Sequence, residues 1–138
     1  MIHVTLAVTG SISAYKAADI TSQLGKLGYS VSVLMTEAAS HFITPLTLQV
    51  LSKNPVSLDL MDEPRPDKVN HIEIGKETNL FLVAPATANT IAKLANGLAD
   101  NMVTATALAL PSHVKKAIAP AMNTKMYENP LTQHNLER

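Results

Sequence analysis

Short apolar runs that end in turn residues alternate along this chain with stretches of helical period, and few architectures accept that alternation. His3 to Val8 is rich in β-branched residues and stops at Thr9-Gly10-Ser11, which predicts a first strand and a turn. Ala17, Ile20, Leu24 and Leu27 follow at spacings of three and four, with Gly28 where a helix commonly stops. This predicts a helix with one buried face. Val31 to Met35 predicts a second strand, and strand, helix, strand is the unit of a parallel sheet. Leu46 to Leu51 predicts a helix begun near Pro45, since proline suits a first helical turn. Leu80 to Ala84 and Val114 to Ala119 predict two further strands, with helical segments at Ile91 to Leu94 and Met102 to Leu110. The expected fold is an α/β, open, mostly parallel sheet with helices on both faces. Strand order is not legible.

At 138 residues, 46% of them hydrophobic, the chain can bury one core, so a single domain over 1–138 is expected. Lys and Arg number 11, as do Asp and Glu, which leaves no basic field for nucleic acid or an anionic membrane. No apolar run approaches the roughly 20 residues of a membrane span, so a cytoplasmic protein is expected. Cysteine is absent, which removes disulfides, thiolate metal sites and a cysteine nucleophile from these residues. With two Phe, three Tyr and no Trp, recognition must rest on backbone groups and small polar side chains. Asp59 to Asn70 holds two Pro and six charged residues and predicts an exposed loop able to act as a lid. Asn129-Pro130 predicts a last helix start, yet Arg138 arrives with no terminator, so a chain cut short is expected.

Four segments fall just after a predicted strand, where open α/β sheets bind ligands. They are Thr9-Gly10-Ser11-Ile12-Ser13, Thr36-Glu37-Ala38, Pro85-Ala86-Thr87-Ala88-Asn89-Thr90 and Pro120-Ala121-Met122-Asn123. In the first, a glycine permits close backbone approach and the serines and a helix start offer donors to a phosphate. The next glycine after Gly10 is Gly25, so neither a dinucleotide fingerprint nor a P-loop is present. Alone, the segment reads as an ordinary strand-to-helix turn with a serine cap. In the third, Thr87 is a helix cap that can also face a ligand. His71 is more simply a satisfied histidine, but its place after the charged loop and its suitability for proton transfer near neutrality keep it a candidate. His3, His41, His113 and His134 have no such setting, and no histidine pair stands at zinc-site spacing.

Taken together, Gly10-Ser11-Ile12 with Ala14-Tyr15-Lys16, His71-Ile72-Glu73, Pro85 to Thr90 and Pro120 to Tyr127 resemble the flavin-containing cysteine decarboxylases in order and spacing. Met35 to Ala39 and Glu128-Asn129-Pro130 resemble them too, so the likeness runs over essentially the whole chain. That family includes the phosphopantothenoylcysteine decarboxylases of coenzyme A synthesis and the lantibiotic peptidyl-cysteine decarboxylases, and the former fit best. The resemblance implies a Rossmann-like three-layer flavoprotein fold. It implies FMN contacts from Gly10, Ser11 and Ile12, from Thr36, Glu37 and Ala38, from Thr87, Ala88, Asn89 and Thr90, and from Ala121. It also implies His71 as the active-site histidine and Asn123 and Met126 as residues that hold substrate. Tyr127 stands where many relatives have Trp, which keeps an aromatic wall.

The implied substrate is 4'-phospho-N-pantothenoylcysteine, converted to 4'-phosphopantetheine by thiol oxidation to a thioaldehyde, CO2 loss and re-reduction, with the redox step supplied by the flavin. In that branch a cysteine on a C-terminal flap donates the last proton; this chain has none, and the flap is expected beyond residue 138. The family forms trimers, sometimes gathered into dodecamers, with FMN at a subunit boundary. Ala and Leu on every side of Thr104 to Leu110 agree with a helix buried all round, and a core helix explains them equally. Three alternatives stand behind this reading. A peptidyl-cysteine decarboxylase would need no flap cysteine. A flavin prenyltransferase is opposed by His71 and the Pro120 to Tyr127 motif. A non-catalytic flavin-binding regulator often carries acidic tails, and none is seen here.

Overall fold

The strand and helix expectations can be set against a computed structural model, which describes residues 2–10, 12–56, 78–99, 101–120 and 127–137. Strands β1 (His3–Val8), β2 (Ser30–Met35), β3 (Leu80–Ala86) and β4 (Lys115–Pro120) form one sheet in the order β2-β1-β3-β4, with every adjacent pair parallel. The helices are α1 (Lys16–Lys26), α2 (Pro45–Ser52), α3 (Ala88–Asn96), α4 (Met102–Ala109) and α5 (Pro130–Glu137). Short 3-10 turns at Ile12–Tyr15 and Ala38–His41 follow β1 and β2.

Alternation along each strand splits the apolar side chains between two helical layers. Leu6 and Val8 of β1, Val31, Val33 and Met35 of β2 and Ala84 of β3 pack with Ala14, Ala17, Ala39 and Leu48, under α1 and α2. Ala7, Leu34, Phe81 and Val83 point the other way and pack with Ile91, Val103, Leu110 and Val114, under α3 and α4, where Leu136 of α5 joins them. Strands β1, β2 and β3 are therefore covered by helices on both faces, as a parallel sheet with crossover helices requires, whereas every residue of β4 is exposed. Among the described residues no helix is long and apolar enough to cross a membrane.

The helix starts have identifiable chemical causes. Thr44 and Thr87 cap α2 and α3 by accepting the N–H of Thr47 and Thr90, and Pro45 occupies the first turn of α2. Asn101 and Thr104 form a reciprocal capping box at α4, and the Asn129 side chain accepts the Leu131 N–H at the start of α5.

Two packing expectations need correction. Leu27 belongs to the apolar period of α1 yet is 70% exposed, because the helix ends at Lys26 and Gly28, at φ 89°, turns the chain away from that face. Thr21, whose hydroxyl donates to the Ala17 carbonyl, is buried instead. Likewise, α4 is not buried all round within this chain: Val103 to Thr106 are covered, but Leu108 is 63% exposed and Leu110 has already left the helix. The expected loop from Asp59 to Asn70 lies outside the described residues.

Candidate functional site at the strand ends

The crossovers run from β1 to β2 on one side and on to β3 on the other, so the sheet changes direction between β1 and β3. At such a switch point the loops leaving adjacent strands diverge and open a crevice beyond their C-terminal ends, the usual ligand position in open α/β sheets. The Thr9-Gly10 turn, Thr36 to Ala38, and the Pro85 to Thr90 segment all leave strands at this edge.

These three segments are fastened to one another. The Thr36 N–H donates to the Val8 carbonyl at 3.0 Å, which holds the turn after β2 against the end of β1. Gly10 then lies so close to Ala38 that a Cβ added there would stand 2.5 Å from the Ala38 Cβ and 3.1 Å from its carbonyl carbon. On the other side, the Thr9 hydroxyl donates to the Pro85 carbonyl at 2.5 Å and accepts the Thr87 N–H at 3.1 Å. A register shift between Val83 and Ala86 marks this end of β3, and the Ala84-Pro85 peptide is cis. Shifts of this kind often occur where a strand end serves a site.

The donors differ in how free they are. Thr87 is engaged in the fold, since its hydroxyl accepts the Thr90 N–H and donates to the Thr90 hydroxyl at 3.1 Å. Thr90 is buried beneath it. Thr36 is also nearly buried, with its oxygen accepting the Ala39 N–H. The Asn89 carboxamide, by contrast, is exposed and makes no hydrogen bond among the described residues. Beside it, the N–H groups of Ala88 and Asn89 are the first of α3 and have no partner within the helix. Glu37 and Ala38 are exposed at the facing turn.

The first amide donors of α3 and the missing side chain at Gly10 suit a phosphate-bearing ligand. These residues fit the phosphate-bearing end of a flavin nucleotide. Among the described residues no group of three or more His, Cys, Asp or Glu could hold a metal ion. An apolar groove between α3, α4 and β4, lined by Leu94, Leu98, Leu108 and Ile118, is instead a gap in the helical layer, away from the strand ends.

Of the residues expected at the site, Gly10, Thr36, Glu37, Ala38, Thr87, Ala88, Asn89 and Thr90 stand at this one sheet edge, and the backbone of Ile12 begins the 3-10 turn that follows Gly10. Ser11, His71, Ala121, Asn123 and Met126 lie outside the described residues, while β4 ends at Pro120, paired with Ala86. Sequence reasoning missed the bridging part played by Thr9. The available signal was a hydroxyl residue placed between a buried strand and a glycine turn.

Comparison with known proteins places these features in a family context. The flavoprotein family model matches residues 1–138. A protein of Streptococcus mutans named probable phosphopantothenoylcysteine decarboxylase is 65% identical over 133 residues, covering 96% of this chain and 74% of that protein. The coenzyme A biosynthesis bifunctional protein CoaBC of Bacillus subtilis is 47% identical over 134 residues, or 97% of this chain. The match spans only 32% of that longer protein. Among solved structures, the FMN-dependent cysteine decarboxylase SpaF superposes with a TM-score of 0.91 at 29% identity, covering 99% of this chain and 78% of that one.

Proposed function

The chain belongs to the flavoprotein family, and from that membership we propose that it binds FMN across the ends of β1, β2 and β3 and decarboxylates the cysteinyl group of 4'-phospho-N-pantothenoylcysteine. The carrying observation is the junction of three expected flavin segments at the switch point, with Gly10 against Ala38 and Thr9 bonded to Pro85 and Thr87. That junction supports the single site along one sheet edge that the strand-end segments suggest in the sequence.

Within it, Gly10 leaves room for the cofactor, Thr36, Glu37 and Ala38 form the facing wall, Thr87 to Thr90 complete it, and the family resemblance adds Ser11, Ile12 and Ala121 as FMN contacts. Asn89 and the first N–H groups of α3 are the donors best placed for a phosphate or a sugar hydroxyl. Bound FMN supplies the two-electron acceptor that a cysteine carboxylate needs before it can lose CO2, since a bare side chain offers no electron sink. His71 moves the proton that accompanies thiol oxidation. Asn123 holds the carboxylate by donated hydrogen bonds, and Met126 packs against the substrate. Assembly as trimers is part of the same proposal, and the exposed Leu98, Leu108 and Leu131 offer apolar area for a neighbouring copy.

A peptide ending in cysteine is the second substrate to test, because the peptidyl-cysteine decarboxylase EpiD shares the fold, with a TM-score of 0.85 at 32% identity. The 65% identity to the S. mutans protein favours the pantothenoyl substrate. The deciding experiment takes the visible spectrum of the purified chain with FMN, then adds phosphopantothenoylcysteine without oxygen. Flavin bands that bleach as CO2 is released support the proposal. A colourless protein that takes up no FMN would overturn it, and bleaching by the peptide alone would replace the substrate.

Thr87 and Asn89 should separate by measurement. Thr87→Ala removes a helix cap and is expected to cost about 1 kcal/mol in urea unfolding of the apo chain. Asn89→Ala removes no hydrogen bond made among the described residues, so stability should stay within about 0.5 kcal/mol while FMN binding weakens by about threefold to tenfold. Equal losses of stability in the two variants would remove Asn89 from the site.

A further inference from the structure

Past Ala7 and Val83 the backbone connection between β1 and β3 thins to the Thr9 N–H on the Pro85 carbonyl at 3.3 Å, and the Thr9 side chain adds two further bonds. We propose that Thr9 is a positioning residue for the flavin crevice, its hydroxyl setting the separation between the Gly10 turn and the start of α3. This rests on the flavin reading above but adds a residue outside the expected contacts.

The chemistry of the partners demands a hydroxyl. The Pro85 carbonyl needs a donor and the Thr87 N–H needs an acceptor, and one O–H group satisfies both. The Thr9 backbone N–H also reaches the Pro85 carbonyl, but at 3.3 Å, and it can do nothing for the Thr87 N–H. Thr9 is fully buried, so water does not replace a missing partner cheaply. Thr87 is itself the cap of α3, and its N–H is the last backbone donor before the free N–H groups of Ala88 and Asn89. Releasing that N–H therefore loosens the helix start that faces the ligand. On the other side of Thr9, Gly10 is wedged against Ala38, so movement of the β1 end is passed directly to the facing wall.

Valine matches threonine in shape but has no hydroxyl, while serine keeps the hydroxyl and loses the methyl group. Thr9→Val is expected to bind FMN at least about tenfold more weakly than the wild-type chain. Its bound flavin should show altered fluorescence quenching and visible circular dichroism. Thr9→Ser should bind within about threefold of wild type and keep the native spectrum. A role in packing alone would reverse that order, because the methyl group is what serine lacks.

The full chain is titrated with FMN for all three proteins, with thermal unfolding of each recorded alongside. Thr9→Val binding within threefold of wild type, or Thr9→Ser losing as much as Thr9→Val, overturns the assignment. Should Thr9→Val fail to fold, Thr9→Ala against Thr9→Ser carries the same comparison, and equal affinities there also overturn it. A wild-type chain that takes up no FMN removes the flavin reading and this inference with it. Binding by wild type with loss only in the hydroxyl-free variants supports both.

Discussion

Gly10→Ala is expected to purify with little flavin. The added Cβ would stand 2.5 Å from the Ala38 Cβ, about 1 Å inside the separation at which carbon atoms attract. Neither group is the tip of a flexible side chain, so the turns after β1 and β2 must part. Overpacking of this kind costs about 1–3 kcal/mol, and if that cost falls on the cradle, FMN affinity drops about fivefold to 150-fold. A titration followed by flavin fluorescence reads the loss directly. The double variant Gly10→Ala with Ala38→Gly removes the clashing methyl group and should recover most of the affinity. If Gly10→Ala binds FMN as the wild type does, the two turns do not close against each other around the ligand.

His71→Asn should give a protein that stays yellow but releases CO2 slowly. A positioned general acid or base contributes roughly 10²–10⁴-fold, so a fall of that size in the anaerobic rate is the expected outcome. Asn123→Asp should be as damaging for another reason, since it sets a second negative charge where a carboxylate must sit. Both variants should keep the flavin bands, because neither residue is proposed to hold FMN. Loss of colour with either change would show that the residue belongs to the cradle and not to the chemistry. A rate within threefold of wild type for His71→Asn would remove the histidine from proton transfer.

Much of the fold was legible because its causes are local. A β-branched run such as His3–Val8 and the pairing of Thr44 with Pro45 act over a few residues, and the elements appear where those signals stand. Gly28 was rightly read as the stop, but Leu27 was misplaced because it is already the cap residue of that turn and no longer on the buried face of the helix. Composition marks α4 as apolar, but only the neighbouring elements decide which side the chain itself covers, and they leave Leu108 exposed.

The site divides along the same line. By itself the sequence determined which segments leave strand ends, which of them carry small donors, and, through resemblance, that a flavin is the expected ligand. It suggested one site along one sheet edge, but not which segments touch. Only the order β2-β1-β3-β4 brings the turn at Gly10 beside Ala38 on one flank and beside Pro85 on the other. The Thr9 hydroxyl bonds a carbonyl 76 residues away. Helix caps and hydrophobic periods are written into neighbouring residues, whereas a contact of that range exists only once the sheet has assembled in one order.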